Sequence, residues 1–241
     1  MERRRAIQLL AAGATSLWAR DQLPAALQDL RVPEPLLPLF PLDLVLFPET
    51  NLPLHIFEER YKEMIKVCLL NHWEFGILLQ VQDNEVKNVG CTAAISEVTE
   101  RFANGELNIL VRGRRRFEIS DVNEDKAYLR GKPEFLDDDL NEPSDEDLRK
   151  RGIELYGRLK ELIVIKDPEP AITDTQLSYR MMGRLPADLE WKQELLELRS
   201  EHDRLGLVVP YFEKLIGFLE KEQNPASSRE IALSLPTVLP R

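Results

Sequence analysis

The side chains able to do chemistry in this 241-residue chain are few and scattered. Its three histidines, His55, His72 and His202, share no ligand spacing with each other or with a cysteine, so they outline no zinc site. Cys68 and Cys91 are the only cysteines and form no CxxC pair, which leaves them as reduced thiols, Cys68 on the apolar face of an expected helix. No GxSxG elbow sets a serine against a histidine, and no GxxxxGK[ST] string exists to cradle a nucleotide's phosphates. No catalytic residue, cofactor or metal is therefore expected. His55, between apolar neighbours, is expected to be a hydrogen-bonded structural group.

Arg112, Arg114, Arg115 and Arg116 form the densest basic cluster and sit beside strands, where phosphates of an RNA would be their ligand. Three features argue against that use. Glu106 and Glu118 flank the run, strand alternation sends its members to opposite sheet faces, and 42 acidic against 32 basic side chains give the chain a net charge of −10. Nucleic-acid binding through Arg112, Arg114 and Arg115 is kept as the alternative reading.

The elements that position these groups begin with LPLFPLDLVLFPETNLPLHIFEERY, from Leu37 to Tyr61. Proline fixes φ and removes a donor, so Pro38, Pro41, Pro48 and Pro53 punctuate short extended pieces instead of sharing one central strand. Glu58 and Glu59 then open a helix to Leu70, with Tyr61, Met64, Ile65, Cys68 and Leu69 on one face. Strands are expected over Phe75 to Val81, Val86 to Val98, Leu107 to Val111, Arg116 to Val122 and Lys126 to Phe135, with Asn104-Gly105 as the strongest hairpin signal. Six or seven short strands with one early helix predict a partly closed small barrel.

Within that stretch LPLFPL, VLFPE and LPLHIFEERY resemble the opening of the N-terminal substrate-recognition domain of Lon proteases, which typically reads LPLFPL, VLFPG and LPLHIFEPRY. Glu49 replaces the usual glycine, which suits a turn with positive φ, so the form of that turn is left open. VGCTAAISEV, NGELNILVRGRRRFEI and LSYRMMGRLPADLEWKQELLE are similar to later segments of the family, with Gly90, Arg116 and Phe117 at matching positions. The resemblance implies an α+β fold, a PUA-like partly closed β-barrel followed by a C-terminal helical bundle. Full Lon proteases couple this domain to an ATPase and a serine-lysine peptidase. Without a phosphate loop, the chain is expected to be a stand-alone, non-catalytic module.

Five regions are expected. Residues 1–32 read either as an amphipathic helix or, from Arg3-Arg4-Arg5 and the uncharged stretch after it, as an export signal; the cytoplasm is the expected location and export the alternative. Residues 33–137 form the barrel. Residues 138–143 belong to an acidic, solvated connector, DDDLNEPSDED. Helices fill 144–223, with Ser144 and Asp188 as N-caps and Pro210 kinking or splitting the last one. Residues 224–241 are a loosely held tail. No stretch has the length of a membrane span.

The resemblance implies binding of unfolded or extended polypeptide, with a protease or chaperone as partner. An accessible apolar surface or an unpaired strand edge would serve that role, and Leu44, Leu46, Phe47, Leu52 and Leu54 are the candidates. A structural or regulatory protein with one fixed partner is the remaining alternative.

Overall fold

The prolines near Leu37 settle into a strand that has partners only where it needs them. In the computed structural model, which describes residues 36–81, 85–139, 145–163 and 170–222, β1 spans Leu37–Leu42. It runs parallel to β3 (Phe75–Gln80) over Leu39 to Leu42 and antiparallel to β6 (Arg130–Phe135) only at Leu37 and Pro38. The Leu39 amide donates to Leu129 at 2.8 Å, so by alternation Pro41 faces the same side, beyond the end of the β6 pairing. Pro38 faces the other side, ahead of the β3 register. Neither ring removes a ladder bond, and both prolines sit inside one strand.

The remaining strands are β2 (Asn51–Ile56), β4 (Val86–Arg101) and β5 (Leu107–Asn123). Two long strands thus replace three of the expected short ones, and β6 starts at Arg130 instead of Lys126. Sheet order is β2-β5-β4-β3-β1-β6, and β6 returns to pair with the second half of β5. Five strands therefore close on themselves, while β2 lies along the first half of β5. Gly90 permits the close approach of β4 to β3: a Cβ there would stand 2.3 Å from the Ile77 carbonyl oxygen.

Helix α1 (Glu59–Asn71) turns Tyr61, Met64, Ile65 and Cys68 into the barrel core beside Phe75, Ile77 and Val111. Both cysteines are buried and free. Burial pushes the Cys68 thiol up to about 12 and raises Cys91 as well. A thiol with that pKa is thiolate in about one molecule per ten thousand at pH 8. Ellman's reagent is thus expected to leave both residues intact in the folded protein and to modify both in guanidinium; rapid reaction of the folded chain would contradict the burial.

Four helices follow: α2 (Glu146–Leu162), α3 (Leu177–Met182), α4 (Leu189–Glu197) and α5 (Glu201–Glu222). Asp145 caps α2, accepting from the Leu148 amide at 2.9 Å, and the expected cap Ser144 lies outside the described residues. Asp188 caps α4 as expected, accepting from Trp191 at 3.1 Å. Helix α5 continues through Pro210 without splitting. The carbonyl deprived of a donor belongs to Gly206, and both residues are exposed, so the break lies on the solvent side of the helix. Leu155, Leu159, Met181, Leu195, Val208 and Phe212 make the helical core, and Phe47 from the β1–β2 loop joins it. Barrel and helices belong to one compact unit. The expectations for residues 1–32 and 224–241 lie outside the described residues.

Candidate functional site

Among the described residues, β5 is the sole sheet neighbour of strand β2, which leaves the other edge of that strand with unused bonding capacity. The Thr50 carbonyl accepts from Gly113 of β5 at 2.9 Å. Alternation then turns the backbone groups of Leu52, Leu54 and Ile56 toward β5 and those of Asn51, Pro53 and His55 toward the open edge. Pro53 deletes one outward donor, a common protection of an open edge. The side chains of Asn51, Pro53 and His55 are exposed.

Apolar surface gathers where β2 ends. His55 Nδ1 donates a 2.7 Å hydrogen bond to Asn108 Oδ1, and its Nε2 approaches Glu106 at 3.4 Å, while its ring lies 5.9 Å from both Phe57 and Phe102. It is hydrogen-bonded, but on the surface. Phe57 is 58% exposed and Phe102 37%. Phe102 also borders a groove of about 810 Å³ between α1 and the β4–β5 hairpin, lined by Leu69, Leu70, Leu107, Lys62 and Lys66. Leu70 is 72% exposed. Lys62 bridges the two walls, donating to Glu59 at 2.9 Å and to the Asn104 carbonyl at 3.2 Å. The hairpin turns at Gly105 with φ 82°, as its Asn-Gly sequence predicts.

The five apolar candidates separate. Leu46 and Phe47 are buried, Leu46 in the barrel core and Phe47 in the helical one. Leu44, Leu52 and Leu54 are half-buried and pack against the barrel core. Periodicity did not single out Phe57, Leu70 or Phe102. Leu70 lies off the inward stripe of α1, and an apolar residue at such a position is the signal that was available.

The arginines separate too. A bulge opposite Thr92 sets two residues of β5 against one of β4, the Arg115 amide donating to Thr92 Oγ1 at 3.1 Å. Arg114 and Arg115 consequently both point outward, near Glu74 and Asp137 at 3.9 Å each, and Arg112 pairs with Glu49. Phe117 is buried with Leu37, Leu39, Leu78 and Ile119, whereas Arg116 is buried against the helices. Each basic group thus has an acidic neighbour, and no continuous basic face forms from the four.

Arg116 donates to the Leu196 carbonyl at 3.0 Å, to the Leu198 carbonyl and to Asp138. Asp138 also receives Arg204 of α5, at 2.8 and 2.6 Å. Arg204, with no exposed side-chain surface, continues to Glu201 at 2.8 Å and Ser178 at 3.1 Å and lies 4.5 Å over the Tyr179 ring. Burial raises the Glu201 carboxyl above its ordinary range, against the opposing pull of Arg204 and Ser178. The acidic connector expected to stay in solvent therefore sends Asp138 inward as the counter-ion of two arginines. Its next amide, Asp139, donates to the Arg199 carbonyl at 2.9 Å.

Among the described residues no cluster of three or more His, Cys, Asp or Glu side chains is placed to hold a metal, and no helix is long and apolar enough to cross a membrane.

Comparison with known proteins matches residues 36–214 to the ATP-dependent protease La (LON) substrate-binding domain. Lon protease 1 of Hydrogenovibrio crunogenus is 25% identical over 201 residues, covering 76% of this chain and 24% of that protein. Lon protease of Escherichia coli K12 is 24% identical over 210 residues, 80% of this chain and 26% of its own length. The chain spans about a quarter of the length of these curated relatives. Among solved structures, the Lon N-terminal domain protein from Xanthomonas campestris is similar with a TM-score of 0.57 at 25% identity, over 73% of this chain and 97% of that one. The N-terminal domain of Mycobacterium avium complex Lon protease shares the fold, with a TM-score of 0.58 at 19% identity over the same shares. With the match running through barrel and helices alike, the chain belongs to the family of the ATP-dependent protease La (LON) substrate-binding domain.

Proposed function

We propose that the chain binds extended or partly unfolded polypeptide, without catalysis or cofactor, as a receptor or adaptor for a separate protease. The open edge of β2, ending at the exposed Phe57, Phe102 and Leu70, carries this reading. A segment laid along the six residues of β2 would cover about 20 Å and exchange backbone hydrogen bonds there. Its apolar side chains would then reach Phe102 and the groove beside α1. Leu52 and Leu54 support the strand from beneath, while the buried Leu46 and Phe47 hold the loop before it. The substrate-binding description of the family agrees with this use.

Leu70→Asp combined with Phe102→Asp is expected to weaken binding of a fluorescent, reduced and carboxymethylated model protein about tenfold or more, with little change in Tm because both residues face solvent. Anisotropy titration measures the first effect and thermal melting the second. Unchanged affinity in the double variant would remove this surface from consideration.

A further inference from the structure

Where β2 begins, the barrel and α3 enclose a polar cleft of about 220 Å³, with Thr50, Asn51, Arg112, Arg180 and Arg184 around Glu49. Three guanidiniums share this small space in a chain whose net charge is −10. Glu49 pairs with Nη2 of Arg112 and lies 3.8 Å from Arg180, whose Nε is taken by Asp174 at 2.6 Å. The Nε of Arg112 is buried and has no hydrogen-bond partner. Carboxylates commonly meet a guanidinium through two parallel hydrogen bonds, so the hold of Glu49 on Arg112 is incomplete. The backbone of Glu49 also stands at φ 60°, a conformation that suits glycine and strains a glutamate.

We propose that this cleft is a carboxylate-binding site in which Glu49 is the resident plug, and that it receives the acidic end of a segment lying on β2. The inference rests on the polypeptide-binding reading. Direction follows from topology: a segment added antiparallel to β2 has its C-terminal end beside Asn51, at the mouth of the cleft. A chain terminus or an aspartate or glutamate side chain near that end brings the same chemical group. Once Glu49 withdraws, such a carboxylate engages Nε and Nη2 of Arg112 together, with Arg180 beside them.

The test uses a fluorescein-labelled decapeptide of alternating valine and threonine in three forms: free acid, C-terminal amide, and amide with a penultimate glutamate. Anisotropy titration compares the wild type with Glu49→Gly and Arg112→Gln. The free acid is expected to bind the wild type several-fold more tightly than the plain amide. Glu49→Gly, whose backbone fits the turn, should widen that preference roughly tenfold, and Arg112→Gln should abolish it. A gain for the glutamate-bearing amide equal to that of the free acid assigns the cleft to any carboxylate; a gain for the free acid alone assigns it to the chain terminus. Equal binding of acid and plain amide by both wild type and Glu49→Gly would overturn the carboxylate site and leave polypeptide binding standing. Failure of every form to bind would overturn both. Loss of the preference in inorganic phosphate, at concentrations where acetate has no effect, would give the cleft to phosphate and overturn the proposal.

Discussion

Arg204→Ala is expected to remove about 3–5 kcal/mol of folding stability, a large share of the 5–15 kcal/mol typical of a domain. The loss is large because Arg204 is fully buried and satisfies groups on three elements: Asp138 after β6, Ser178 on α3, and Glu201 on its own helix. Deleting it removes one of the two arginines that Asp138 holds and takes the guanidinium away from the buried Glu201, which keeps its Ser178 hydrogen bonds at 2.8 and 2.7 Å. Urea unfolding measures the effect, and its pH dependence carries a second signature. The Glu201 carboxyl already stands above its ordinary value of 4.5, chiefly through burial, and loses its attracting charge in the variant. A carboxyl whose folded pKa exceeds its unfolded one takes up its proton first in the folded state. Stability is then gained as pH falls through the folded value toward 4.5, and the gain is complete below it. Arg204→Ala should therefore lose least near the acid end of this window and most at neutral pH. A variant within 1 kcal/mol of wild type at pH 7, or one whose deficit does not change with pH, would show that the arginine is dispensable.

Local signals made most of this fold legible, and long-range ones did not. Asn104-Gly105 marked its hairpin because the turn needs a positive φ, and Asp188 marked its helix because an N-cap is a three-residue geometry. The stripe of α1 was readable for the same reason. Arg116 was not: a bulge changes the parity of β5, and its carbonyl partners lie about eighty residues along the chain. The inward turn of Asp138 escaped because an acidic run reads as solvated until two buried arginines are known to need a counter-ion. Glu49 stands at a positive φ, the conformation a glycine there would suit, and so gives a form to the turn that the sequence left open. The open edge of β2 is a property of strand order, which no window of sequence carries.

Phe47 decides how the candidates of the β1–β2 loop divide between folding and binding. Its ring is buried, stacks on Tyr179 with centroids 5.1 Å apart, and belongs to the helical core although it enters from the barrel side. Its carbonyl accepts from Thr50 Oγ1 at 2.7 Å, and a Cβ on Gly113 would stand 2.1 Å from that same oxygen. The loop is thus clamped between β5 and the helices with no room to expose the ring. Phe47→Ala deletes an aromatic side chain where collapse is blocked on both sides, and an expected loss of about 3–5 kcal/mol follows from the lost transfer energy and the cavity together. The urea midpoint should fall in proportion, with an unchanged m-value if barrel and helices still unfold as one. At a temperature where the variant remains folded, its affinity for a denatured model protein should equal that of the wild type, because Leu70, Phe102 and the β2 edge are untouched. Weaker binding at an unchanged midpoint would put Phe47 on the client surface and make its burial in the helical core a closed state of the loop.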